Sequence, residues 1–141
     1  MPPKVKLLKV SEEVEKVLHM AQRAQDKAYA PYSQFKVGAA FITDKGEIVT
    51  GHNIENSSYG ATVCAERVAL WKWVSDGLRG KVQFVVVVTP TDKASPPCGL
   101  CLQVLSEFCD PTTKIYLAGK EGIDSQVTLE QLFPMSFHLH K

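Results

Sequence analysis

The sequence predicts an α/β domain of three layers, α/β/α, around one mixed sheet of about five strands. Three observations carry this reading. Helical and strand-like hydrophobic periods alternate along the chain in the order α-β-β-α-β-α-β. The run Phe84-Val85-Val86-Val87-Val88 is apolar on both faces, as a central strand covered by helices must be. Two strand-like segments flank Asp44-Lys45-Gly46-Glu47, a hairpin turn, so one strand pair is antiparallel.

Each element has its own signal. Ser11 before Glu12 and Glu13 is an N-cap with acidic first-turn residues. Val14, Val17, Leu18, Ala21, Ala24, Gln25 and Ala28 then trace one helical face, expected to end near Tyr29-Ala30-Pro31. Phe35, Val37, Ala39 and Phe41 alternate with Lys36, Gly38, Ala40 and Ile42 as a strand, and Ile48 to Asn53 returns antiparallel. Helices follow Cys64 and Cys98, and the strand Gln83 to Thr89 lies between them. A strand Lys114 to Leu117 and a short helix Thr128 to Leu132 complete the order, with room for a further short strand near Gln126. Strands separated by helices are expected to be parallel neighbours.

Composition narrows the function. The chain has 141 residues, a length that suits one domain, 1–141. Hydrophobic content of 45% with 22% charged residues makes that domain globular rather than disordered. The formal net charge is +1 and the basic residues form no long run, which argues against a nucleic-acid polymer as partner. The longest apolar run, Phe84 to Val88, is too short to span a bilayer. The opening Met1-Pro2-Pro3-Lys4-Val5-Lys6 lacks the apolar core of a secretory leader, so a cytoplasmic location is expected. In that setting four cysteines point to metal binding before disulfides.

Three of those cysteines fall into a pattern. Cys98-Gly99-Leu100-Cys101 is a C-x-x-C preceded by Pro97, and Cys64 supplies a third sulfur with Glu66 two residues on. Three thiolates leave a tetrahedral Zn²⁺ one open position, the mark of a catalytic rather than a structural site. Glu66 is then a carboxylate that carries protons beside the metal instead of binding it. All three cysteines sit at or inside the first turn of a predicted helix, where unpaired N–H groups favour thiolate. Three thiolates on Zn²⁺ sum to about −1, and Arg67 is placed in sequence to offset that charge. The pattern matches the zinc deaminase signature, Cys-x-Glu followed by Pro-Cys-x-x-Cys. A closed structural zinc site with Cys109 or His52 as fourth ligand is the competing reading. A redox C-x-x-C pair would leave Cys64 and Glu66 without a role. Cys109 reads as a spare buried thiol.

Asn53 and Glu55, at i and i+2 on a strand end, share a face and can together serve a sugar hydroxyl. A simple polar turn fits the same residues. Phe35 and Phe137 read on their own as a core residue and a hydrophobic anchor.

Taken together, the chain resembles the small homotetrameric cytidine deaminases over nearly its full length. The resemblance rests on Ala30-Pro31-Tyr32-Ser33-Gln34-Phe35-Lys36-Val37-Gly38, Asn53-Ile54-Glu55-Asn56, Cys64-Ala65-Glu66-Arg67, Pro97-Cys98-Gly99-Leu100-Cys101 and the tail Leu132-Phe133-Pro134 with Ser136-Phe137. It implies one Zn²⁺ per chain on Cys64, Cys98 and Cys101, with Glu66 shuttling protons. It implies that Asn53 and Glu55 hold the ribose 3′-OH, that Phe35 stacks on the pyrimidine and that the Ala65 N–H contacts the base. It further implies that Tyr59 and Phe137 close a neighbouring subunit's site in a homotetramer. Cytidine and 2′-deoxycytidine are the substrates it implies, in pyrimidine salvage. The chain departs from the family where Leu102 follows the last cysteine in place of the usual arginine, which leaves Arg67 as the sole cationic support. Ser57 stands where alanine is commoner. Alternatives of other kinds are a deaminase of another cytosine-bearing small molecule and a non-catalytic zinc-stabilised module.

Overall fold

Ser11 caps the first helix as its sequence suggests: its hydroxyl accepts the Val14 N–H at 3.3 Å, and α1 runs Glu12–Asp26. The buried face is the one the periodicity marks, with Val14, Val17, Leu18, Ala21 and Ala24 all inside. The helix stops at Asp26, earlier than Tyr29, because the chain turns to join the sheet region. Tyr29 N–H donates to the Asn53 carbonyl and Glu55 N–H to the Tyr29 carbonyl. The computed structural model describes residues 4–140. Met1, Pro2, Pro3 and Lys141 lie outside the described residues, and with them part of the stretch read above for a leader.

Two strands, β1 (Gly38–Thr43) and β2 (Ile48–His52), form the hairpin, turned by Gly46 at φ 81°. A 3₁₀ turn, Tyr59–Ala61, leads to α2 (Ala65–Ser75). Then follow β3 (Val82–Val88), α3 (Gly99–Phe108), β4 (Lys114–Ala118), β5 (Ile123–Thr128) and α4 (Leu129–Leu132). The sheet order is β2-β1-β3-β4-β5, which puts the apolar run at its centre. β3 and β4 are parallel neighbours, as expected. β2 and β3 are not: β3 pairs antiparallel with β1, so the β2–α2–β3 connection steps over the hairpin partner.

The sheet divides two cores. One face packs Ala40, Ile42, Phe84, Val86 and Tyr116 against α1. The other packs Ala39, Phe41, Val85, Val87 and Leu117 with α2 and α3 residues such as Ala69, Leu70, Trp73 and Leu105. The alternation along β1 and β3 between these faces is the period of a strand. Gly51 lets α2 lie against β2: a Cβ there would run into the Ala65 carbonyl and the Ala69 backbone. Among the described residues no helix is long and apolar enough to cross a membrane.

Strand β1 begins at Gly38, three residues later than the alternation of Phe35 suggests. There the side-chain amide of Asn53 supplements a single backbone bond, from the Asn53 N–H to the Val37 carbonyl at 3.3 Å. Its Oδ1 accepts the Val37 N–H at 2.9 Å and its Nδ2 donates to the Phe35 carbonyl at 2.7 Å.

Candidate active site

One end of the strands gathers the chemistry. Gly38 is in register with His52 on one side and Val88 on the other. The segment Phe35–Val37, which leads into β1, and those from Asn53 and Thr89, which follow β2 and β3, therefore lie at the same end of three adjacent strands. Helices α2 and α3 start above it, with Cys64 and Cys98 as their N-cap residues and Cys101 in the first turn of α3. The thiols of Cys64, Cys98 and Cys101 lie within 4.8 Å of one another.

That cluster suits a tetrahedral ion. Two sulfurs on a zinc ion at about 2.3 Å would stand about 3.8 Å apart, and Cys64 Sγ and Cys98 Sγ are 3.8 Å apart. Arg67 Nη2 donates to Cys64 Sγ at 3.3 Å, and the guanidinium carbon lies 5.8 Å from the centre of the Trp71 ring. Arg67 Nε is buried without a hydrogen-bond partner. The Cys101 thiol and Arg67 hold Cys64 down at about 5, against the burial that would raise it. Contact with Cys64, and burial, push Cys101 above the usual thiol range, so the negative charge of the pair sits on Cys64. Leu102 is buried in the core and offers the cluster no second cation.

Glu66 stands in the first turn of α2 and is 5% exposed. Burial, with the charge on Cys64 adding to it, raises its carboxyl to about 7 against the pull of Arg67 and of nearby hydrogen-bond donors. It faces a cavity of about 210 Å³ that Phe35, Val37, Asn53, Cys64 and Cys98 also line. Ala65 is fully buried at the first position of α2.

The Glu55 carboxylate stands outside that lining. Its Oε1 accepts the N–H groups of Tyr32 at 2.9 Å and Ser33 at 3.1 Å, and its Oε2 accepts the Ser33 hydroxyl. Ser33's hydroxyl above all holds Glu55 below the usual carboxylate range against an opposing effect of burial, with the two N–H groups adding to it. Tyr59 and Phe137 also stand outside the lining, 81% and 63% exposed. The Phe137 carbonyl accepts from Gln103 Nε2 of α3 at 2.9 Å. Cys109 is a free thiol apart from the metal cluster, raised to about 12 by burial. His52 Nδ1 lies 3.2 Å from the Asn53 carbonyl.

Sequence reasoning missed Thr89. Its buried hydroxyl accepts the Ser95 N–H at 3.2 Å and bonds Thr91 Oγ1 at 2.8 Å, which shapes the loop that delivers Pro96, Pro97 and Cys98. A hydroxyl ending an apolar strand, just before Pro90, was the available signal.

A model of the cytidine and deoxycytidylate deaminase zinc-binding region matches residues 11–118. This chain belongs to the cytidine deaminase family. It is 46% identical over 117 residues to a cytidine deaminase of Halalkalibacterium halodurans, covering 83% of this chain and 88% of that one. It is 43% identical over 125 residues to a cytidine deaminase of Sporosarcina psychrophila, covering 89% and 91%. A crystal structure of cytidine deaminase from Burkholderia pseudomallei superposes with a TM-score of 0.84 at 39% identity, over 91% of this chain and all of that one. The chain is thus a zinc-binding hydrolytic deaminase, and its three clustered thiols are able to hold a metal ion.

Proposed function

We propose that this protein hydrolyses cytidine and 2′-deoxycytidine to uridine and 2′-deoxyuridine, with release of ammonia. The observation that carries the reading is Glu66, a buried carboxyl held near neutrality beside three thiols and facing a ring-sized cavity. The names of the relatives support the substrate. Conversion of cytidine to uridine, followed by absorbance together with a zinc count on the purified protein, tests it. Zinc-loaded protein that leaves cytidine unchanged refutes it.

Cys64, Cys98 and Cys101 would hold the zinc, which would supply the Lewis acidity that makes water a nucleophile near neutral pH. Glu66 takes a proton from the attacking water and delivers it to N3 of the pyrimidine as C4 becomes tetrahedral. Glu66 then takes the proton of the new C4 hydroxyl and passes it to the amine, which leaves as ammonia while the C4 carbonyl forms. The Ala65 N–H, at the open start of α2, donates to the base. Phe35 stacks on the ring, and α2, α3 and β3 close the site to bulk water. Arg67 offsets the charge of the thiolates.

The sugar contact follows from a count of hydrogen-bond capacity. Asn53 has two amide protons and gives one to Phe35, so one remains. The Glu55 carboxylate has about four acceptor sites and three are taken. One donor and one acceptor left over match a single hydroxyl, which we assign as the ribose 3′-OH. Deoxycytidine, with the same 3′-OH, suits the site equally.

Residues 1–141 work as one catalytic domain. Tyr59 and Phe137, apolar and largely exposed in one chain, reach a neighbour's site in a homotetramer. The enzyme serves pyrimidine salvage in the cytoplasm, with no nucleic-acid polymer and no membrane as partner.

A further inference from the structure

We infer that Ser33 is a positioning residue, whose hydroxyl ties the sugar-binding carboxylate to the ring-stacking wall of the same site. The inference rests on the ribose reading above. A serine hydroxyl has one proton and two lone pairs. The proton of Ser33 goes to Glu55 Oε2, and one lone pair accepts the Phe35 N–H at 3.0 Å. The Ser33 N–H goes to the other carboxylate oxygen at 3.1 Å. One residue thus grips both oxygens of Glu55 and the backbone of Phe35.

Gln34 lies between Ser33 and Phe35 at φ 58°, the left-handed conformation that side-chain-bearing residues seldom adopt. That bend turns Phe35 into the cavity it lines. Such a conformation persists where its surroundings over-determine it. Here the Gln34 N–H bonds the Ala30 carbonyl at 2.9 Å, and the Ser33 hydroxyl spans the bend to Phe35. Glu55 and Phe35 are both on loops, so neither is fixed by a helix or strand of its own. Removing the hydroxyl costs Glu55 one of three bonds and leaves the Phe35 N–H unpaired. Sugar anchor and base wall then loosen together. The thiols and Glu66 stand on α2 and α3 and make none of these bonds.

Loss of Ser33 therefore acts on substrate binding and on sugar discrimination, and spares the metal and the chemistry. Ser33→Ala should raise the KM for cytidine by about tenfold, with kcat held within about twofold, as for loss of a bond to a charged group. The preference for cytidine over 3′-deoxycytidine should narrow by a similar factor. Ser33→Thr, which keeps the hydroxyl at an exposed position, should restore both. Ser33→Cys, of similar size but a weak donor, should fall between and gives a second reading if the alanine variant folds poorly. On a Glu55→Gln background Ser33→Ala should have much less effect, because its partner is altered already. Zinc content should match the unmodified protein. Equal losses for cytidine and 3′-deoxycytidine, full additivity with Glu55→Gln, or failure of threonine to rescue would each overturn the role of Ser33. Equal turnover of free cytosine and cytidine by the unmodified protein would instead overturn the ribose reading, whatever Ser33 does.

Discussion

Glu66→Gln separates a proton carrier from a metal ligand. The amide keeps the shape of the carboxyl but cannot accept the proton of the attacking water. General acid–base help is worth about 10²–10⁴ in rate. Glu66 serves twice in the cycle, at the water and at N3, so kcat should fall at least about 10³-fold, or about 4 kcal/mol. Zinc should stay near about one per chain, because three thiols hold it without the carboxylate. A second readout comes from the metal-free protein. The folded carboxyl holds its proton up to about 7, against an ordinary value of 4.5. The folded state therefore binds more protons than the unfolded state between those values, and stability falls as pH rises through that window. Glutamine carries no such burden. Metal-free Glu66→Gln should match the unmodified protein near pH 4 and exceed it by up to about 3 kcal/mol near pH 8. Denaturant titrations at the two pH values, with zinc counting and a cytidine assay on the loaded protein, measure all three effects. Loss of zinc from a folded Glu66→Gln protein would refute the assignment.

Other outcomes follow from the same geometry. Cys109→Ser should keep zinc and activity, and release of the metal would make the site a closed four-thiol one. The Cys109 thiol is held at about 12 against an ordinary 9.0. Its contribution to stability is thus complete below pH 9 and lost as pH rises through 12, which comparison with Cys109→Ser in alkaline denaturation would reveal. Truncation before Phe137 should raise the KM for cytidine in a folded protein, and mixed tetramers reassembled with Glu66→Gln chains should regain activity; no gain in verified mixed tetramers would count against shared sites. Free cytosine and 3′-deoxycytidine should be poorer substrates than cytidine by about 10⁴-fold, because unpaired polar groups would remain in the site, while 2′-deoxycytidine should be a good one. Glu55→Ala should narrow that gap, and an unchanged gap would remove Glu55 from sugar recognition.

Much of this was legible from the residues. Helix α1 announced itself by its cap and apolar stripe, and β3 by its two-faced run, because local periodicity and long-range packing agree there. The thiols were legible because zinc demands a ligand type and spacing that little else explains. The pairing of β3 with β1 was not legible, since periodicity says which face a strand buries but not which strand lies beside it. Nor was the start of β1. Phe35 has the alternation of a strand residue, yet a side-chain amide 18 positions away takes its backbone bond. The partners of Glu55 were hidden for the same reason: Tyr32 and Ser33 lie more than 20 positions before it, and no local pattern links them.

The state of Glu66 is decided by two opposing effects of the same helix start. The first turn of α2 favours negative charge through its open N–H groups, by about 0.3–1 kcal/mol and at most about 2. That alone would hold the carboxyl below 4.5. Packing that turn against β2, which Gly51 permits, takes the carboxyl out of water. The rise to about 7 corresponds to more than about 3 kcal/mol net, so burial outweighs the dipole, and the charge on Cys64 adds to it. Cys64 Sγ, at the cap of the same turn, is only partly buried, and Arg67 at 3.3 Å helps to keep it anionic. One helix start thus holds a thiolate able to bind a metal and, two residues on, a carboxyl poised to gain or lose a proton near pH 7. Moving Glu66 by one position would turn it about 100° around α2, away from these surroundings, which is why the Cys-x-Glu spacing carries the chemistry.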